Sequence, residues 1–133
     1  MTDNGRLLAL HRYYIWANFM REKFDQLSER QILQGNLASE SMIYMSYWYA
    51  GIYIVIERWK ELQLHDTNID PLICSDNTDL LRRFRNGVFH FQKEYYDERF
   101  FGLISEGLNV VPWIRELNKN FGSYFLENFP SSL

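Results

Sequence analysis

From Met42 to Ile56 the chain carries no charged residue, and Met42, Met45, Tyr49, Ile52, Ile56 and Trp59 step by 3, 4, 3, 4 and 3. A helix whose apolar side chains recur every three or four residues must bury that seam against another helix. The uncharged run is 15 residues long and holds five Tyr and Trp plus Ser46, whereas a bilayer span needs about 20 mostly apolar residues. Glu57, Arg58, Lys60 and Glu61 follow at once. This stretch therefore predicts a helix buried on most sides, in a core or a dimer seam, and not a membrane segment.

The remaining segments fit around such a helix. A first helix is expected over Gly5–Leu27, with Ala9, Tyr13, Trp16, Met20, Phe24 and Leu27 at helical spacing and Leu8, Ile15 and Phe19 widening its apolar face. Ser28–Ala38, polar and holding Gly35, reads as a connection. The second helix should start at Ser39, a good N-cap, and reach Leu64. His65–Thr78 is a polar loop, long for a helical bundle, and Asp76 or Thr78 is placed to cap the helix after it. That helix is expected over Leu80–Asp97. Gly102 and Gly107 then break up a short piece, and Pro112 suits the first turn of a last helix. Ile114, Leu117, Phe121, Phe125 and Phe129 form that helix's stripe, and Pro130 stops it. No alternating strand pattern, repeat or linker occurs. The expectation is one all-α domain over residues 1–133, an up-and-down bundle of four main helices plus a short fifth segment.

With 133 residues such a domain buries a core without staples. One cysteine, Cys74, excludes a disulfide framework and a multi-cysteine zinc site, and reads as a partly buried loop thiol. A net charge of −3 gives no global bias toward nucleic acid, although Arg82, Arg83 and Arg85 make a local basic patch. Aromatic residues are 17% of the chain, more than a monomeric bundle of this size needs, so a dimer or another protein partner is expected. The opening MTDNGRLLALHR lacks a basic start followed by an apolar run, which argues against a signal peptide and for a cytoplasmic protein.

Chemistry concentrates in LLRRFRNGVFHFQKEYYD, residues 80–97. Read as a helix, Leu81, Phe84, Val88, Phe91 and Tyr95 form an apolar stripe, and Arg82, Asn86 and His90 form a polar one with about 40° of drift per step. Arg85 lies roughly 140° from His90 on that wheel, within reach of its long side chain. An arginine can hold a phosphodiester through its fork of donors, and an imidazole can take a proton from a ribose 2′-OH or return one to the leaving oxygen. Asn86 could orient the imidazole or bond the phosphate. No rival constellation is present: His11, His65 and His90 form no HxxxH pair, and no phosphate loop or nucleophile elbow occurs, so no metal or cofactor is expected. On spacing alone, a solvated arginine and an unrelated histidine are the better reading.

The string LLRRFRNGVFHF resembles the signature of the HEPN superfamily, small all-α domains marked by Arg, four to six residues, then His. The resemblance implies Arg85 and His90 as a metal-independent endoribonuclease pair with Asn86 in support, and Arg82 and Phe89 beside them in an RNA-binding cleft. It also implies a homodimer in which two motifs meet, RNA as substrate, and a toxin or defence setting with an antitoxin-like protein partner. Family members use an acidic or polar residue from an earlier helix, a position for which Glu57 is the candidate; as a bare helix-end charge it reads equally well as solvated. Inactive members only bind. Separately, LHRYYIWANFMREKFDQL, residues 10–27, is similar to the opening helix of DinB-like four-helix metal proteins. Their histidine triad has no counterpart here, because no histidine follows His90. That resemblance implies a non-catalytic bundle acting as an interaction module, with Trp16 and Asn18 as core packing and a polar edge.

Overall fold

The computed structural model describes the backbone of residues 3–34 and 38–129 and the side chains of 4–27 and 40–129. Six helices follow one another: α1 (Asp3–Gln34), α2 (Ala38–Glu61), α3 (Asp70–Ile73), α4 (Asn77–Phe89), α5 (Glu98–Glu106) and α6 (Val110–Asn128). No strand occurs among the described residues. The fold is all-α, with α1, α2, α4 and α6 as the long elements.

Helix α2 is the centre, as its uncharged seam requires. Tyr49, Ile52, Ile56 and Trp59 of the seam are buried, and so are Trp48, Ala50 and Val55 beside them. Only the N-terminal end of the seam is open, where Met42 is half exposed. Helix α1 packs along α2 and α4 packs against α2, while α6 meets α1 and sends Phe121 onto the Trp59 ring. The stripe Ile114, Leu117, Phe121, Phe125 and Phe129 is buried throughout, as its spacing demands. No helix is long and apolar enough to cross a membrane among the described residues.

Several boundaries differ from the sequence reading, each for a local reason. Helix α1 runs to Gln34, through most of the segment expected to connect; Gly35 lies outside the described residues. Its buried face is also rotated. Leu10, His11 and Ala17 are buried, with Leu7, Tyr14, Met20 and Phe24 packed on the core, whereas Trp16 is 56% exposed and Leu8, Ile15 and Phe19 are exposed too. Ala17 is selected because it meets Gly51, where an added Cβ would lie 2.9 Å from the alanine Cβ. Helix α2 already includes Ser39, which is therefore inside the first turn and not its cap.

The C-terminus of α2 closes in a Schellman pattern. Leu64 N–H donates to Trp59 C=O and Gln63 N–H to Lys60 C=O, with Gln63 at φ 56°. The following loop contains the one-turn α3, and it is pinned to α6 by Trp113 Nε1 donating to Leu72 C=O at 2.8 Å. Neither expected cap of α4 acts: Asp76 makes no capping bond, and Thr78 Oγ1 turns back to Ile73 C=O. Buried Asn77 instead clamps the α5–α6 corner, donating to Leu108 C=O at 2.8 Å and accepting from Leu108 N–H at 3.0 Å.

Helix α4 ends at Phe89, eight residues before Asp97, the expected end. Gly87 is the cause visible in packing. A Cβ there would lie 3.0 Å from Arg99 Cβ and 3.2 Å from the Phe100 ring, so α5 seats itself on the notch that this glycine leaves. The chain must turn back to do so. His90 is extended at φ −119° and ψ 127°, and Asp97, expected inside the helix, caps α5 by accepting Arg99 N–H at 2.9 Å. Leu81 and Phe84 keep the buried positions expected of them, but Phe91 and Tyr95 are 94% and 82% exposed. Gly102 sits inside α5 and does not break it.

Candidate functional site

Helices α2 and α4 pack so that Tyr53 and Glu57, one turn apart on α2, face Arg82, Arg85 and Asn86 on α4. Arg85 is the best-held cation of the group. Its Nε donates to Asn86 Oδ1 at 2.9 Å, its terminal nitrogen lies 3.8 Å from Glu57 Oε2, and its guanidinium carbon is 4.9 Å from the Tyr53 ring centroid. A guanidinium against an aromatic face with a carboxylate at its edge is fixed in direction, not merely in position. Burial pushes the Tyr53 phenol above its usual range and Glu57 adds to that, while Arg85 and Arg82 pull the other way. Arg82 is committed to Asp79, donating through two nitrogens at 3.0 and 2.9 Å. The basic patch is thus largely neutralised locally: Arg83 also has a carboxylate, Glu98, at 3.9 Å.

Arg85 lines a groove of about 400 Å³ whose walls include Ala9 and Tyr13 of α1 and Ile54 and Glu57 of α2. His90 is elsewhere. It caps the end of α4, its backbone N–H bonded to Asn86 C=O, and its exposed side chain lines a second groove of about 460 Å³ with Phe84, Val88, Phe91 and Phe101. The structure therefore joins Arg85, Asn86 and Glu57, with Arg82 adjacent, and sets His90 in a different groove of the same chain. The single polar stripe Arg82–Asn86–His90 does not exist, because the helix stops before its last member. Phe89 is half exposed, its ring 6.0 Å from that of Tyr47.

Two polar clusters escaped the sequence reading. One joins α1 to α6: Arg21 and Arg115 converge on Asp25, and Trp48 Nε1 donates to buried Asn118, which donates to Asn18. Arg21-x-x-x-Asp25 is a helical i,i+4 pair legible in sequence, but nothing in sequence points to its partner 90 residues later. Asn18 is a polar edge, as expected; Trp16 is not core. The other cluster holds His65 and Asp70, 3.1 Å apart, in a groove shared with Cys74, whose thiol is exposed and not partly buried. Among the described residues no group of three or more His, Cys, Asp or Glu is arranged to hold a metal ion. Comparison of the chain with protein-family models, with curated proteins and with solved structures found no match to any of them.

Proposed function

We propose that this chain is a HEPN-like RNA-binding protein that acts as a homodimer, with metal-independent endoribonuclease chemistry through Arg85, Asn86 and His90. The observation that carries the reading is the meeting of Glu57 with Arg85 and Asn86: an acidic residue of an earlier helix reaches the arginine of the motif. Arg85 would hold the scissile phosphate and balance its charge. His90 takes the proton of the ribose 2′-OH, whose oxygen attacks phosphorus; the P–O5′ bond breaks, and a protonated imidazole returns the proton to the leaving oxygen. A cyclic phosphate and a 5′-hydroxyl result.

Because Arg85 and His90 line separate grooves within one chain, the reading requires the second copy to bring an imidazole to the arginine. Incubation of the pure protein with RNA in EDTA should give cleavage that disappears in His90→Ala and in Arg85→Ala. Intact RNA after incubation with the wild-type dimer would end the catalytic reading.

A second reading, a non-catalytic interaction module, is favoured by one specific observation: the exposed large apolar side chains Leu8, Ile15, Trp16 and Phe19 on a single face of α1. Such a patch marks a protein partner more often than a nucleic acid. In that case His90→Ala leaves binding of the partner intact and Trp16→Glu removes it.

A further inference from the structure

Between α1 and α6 lies a half-open groove of about 330 Å³ lined by Tyr14, Asn18, Arg21, Arg115, Asn118 and Lys119. Its floor is ordered by internal bonds. Arg21 donates through Nε to Asn18 Oδ1 and through a terminal nitrogen to Asp25, both at 2.8 Å. Arg115 reaches the same carboxylate from α6 at 2.7 and 3.4 Å. Asn118 donates to Asn18 at 3.0 Å and accepts from Trp48 Nε1 at 3.1 Å. The acceptors are therefore taken, and what remains is a set of donors.

The Tyr14 hydroxyl and the Lys119 ammonium make no hydrogen bond to any described residue. Arg115 gives one N–H of each terminal nitrogen to Asp25, which leaves its Nε–H and the outer terminal N–H groups. Room for the hydroxyl is made by Gly122, where a Cβ would lie 2.6 Å from the Tyr14 oxygen. Burial raises the Tyr14 phenol above its usual range, so it stays a neutral O–H donor. Charge adds to this. Arg21, Arg115 and Lys119 stand against Asp25 and Glu22, the latter 3.7 Å from Arg21, so one positive charge is left over. A half-buried donor beside two held guanidiniums and a free ammonium favours an anionic acceptor.

We propose that this groove binds a small phosphate-bearing ligand through Tyr14, Arg115 and Lys119. A phosphate suits it better than a carboxylate. The free edge of Arg115, the Tyr14 hydroxyl and the Lys119 ammonium are three separate donors, and a tetrahedral head offers three oxygens to them where a carboxylate offers two. The site uses neither Arg85 nor His90, and it stands whether or not the chain cuts RNA.

The probes are inorganic phosphate and glycerol 3-phosphate, titrated against chloride at equal ionic strength, with calorimetry and the thermal midpoint as readouts. Both should bind the wild-type chain saturably and raise its midpoint. Tyr14→Phe and Lys119→Gln should each weaken binding about tenfold, the loss expected for one hydrogen bond to a charged group. Lys119 is exposed, so its variant folds normally and keeps the test decisive if Tyr14→Phe is unstable. Lys93→Gln, an exposed lysine that lines neither this groove nor those of Arg85 and His90, should bind phosphate as the wild type does. Absence of saturable binding, wild-type affinity in both groove variants, or an equal loss in Lys93→Gln would each overturn the site.

Discussion

His11 shows how a titratable residue can belong to the core. It is buried between the rings of Phe125 and Phe129, at centroid distances of 4.8 and 5.4 Å. Desolvation there lowers its pKa from the ordinary 6.5. The unfolded chain consequently binds the proton more readily, and stability falls as the pH drops below about 6.5, levelling off beneath the folded-state pKa. The pH window, and not the sign, distinguishes it from Asp25. Burial alone would raise that carboxyl, but Arg115 and Arg21 outweigh it and hold it low, so its contribution is lost only in acid below about 3.8. Urea unfolding at pH 5, 6 and 7 should show stability rising with pH, by at most about 1.4 kcal/mol per unit; His11→Phe should flatten that slope. In sequence His11 is one of three histidines with no neighbour to mark it. Its role comes from residues more than 100 positions away.

At the scale of single elements, helix interiors were legible and helix ends were not. The stripe of α6 follows from its spacing, and that of α2 from an uncharged run that is buried on most sides. The face of α1 differs from expectation because that helix is apolar on two: Leu7, Leu10, Tyr14 and Ala17 face the core, and Leu8, Ile15 and Phe19 lie roughly 140° away on an ideal wheel. The choice between them was made by the Ala17–Gly51 contact. Gly51→Ala should therefore destabilise the fold by about 1 kcal/mol, since overpacking at 2.9 Å outweighs the gain in helix propensity. Gly102→Ala is the contrast. The nearest atom to its Cβ is Leu80 Cδ2 at 4.0 Å, so propensity alone acts and stability should rise by about 0.5–1 kcal/mol. Gln63, left-handed at φ 56° without being glycine, gives a third measurement: Gln63→Gly should raise stability by about 1 kcal/mol, read as a higher thermal midpoint.

For the whole molecule, the uncovered stripe of α1 is the feature a single chain does not account for. Leu8, Arg12, Ile15 and Phe19 step by 4, 3 and 4, and Arg12 lies over the Tyr13 and Trp16 rings at 5.7 and 5.6 Å. A two-fold dimer needs one patch that fits itself, and such a stripe meets that demand. Sedimentation of the proposed homodimer should shift from dimer to monomer in Ile15→Glu, with the helical circular dichroism unchanged. A monomeric wild type would remove both this interface and the paired site that the ribonuclease reading needs.

Sequence alone determined that the chain is helical and that the uncharged seam of α2 must be buried, in a core or a dimer, because a heptad run of apolar side chains needs a facing helix; the tertiary structure places it in the core of one chain. Sequence also offered Arg85, Asn86 and His90 as a motif and Glu57 as a candidate acidic residue beside a solvated reading; the packing of α2 on α4 is what brings Glu57 within 3.8 Å of Arg85. Tertiary structure decided where α4 stops. The notch at Gly87 accepts α5, and that packing turns His90 away into a second groove, which no local periodicity could foretell. It also brought Arg115 to Asp25 and Lys119 to Tyr14 across some 90 to 105 positions of chain, because pairings between distant helices are set by how their faces fit and not by spacing along the sequence.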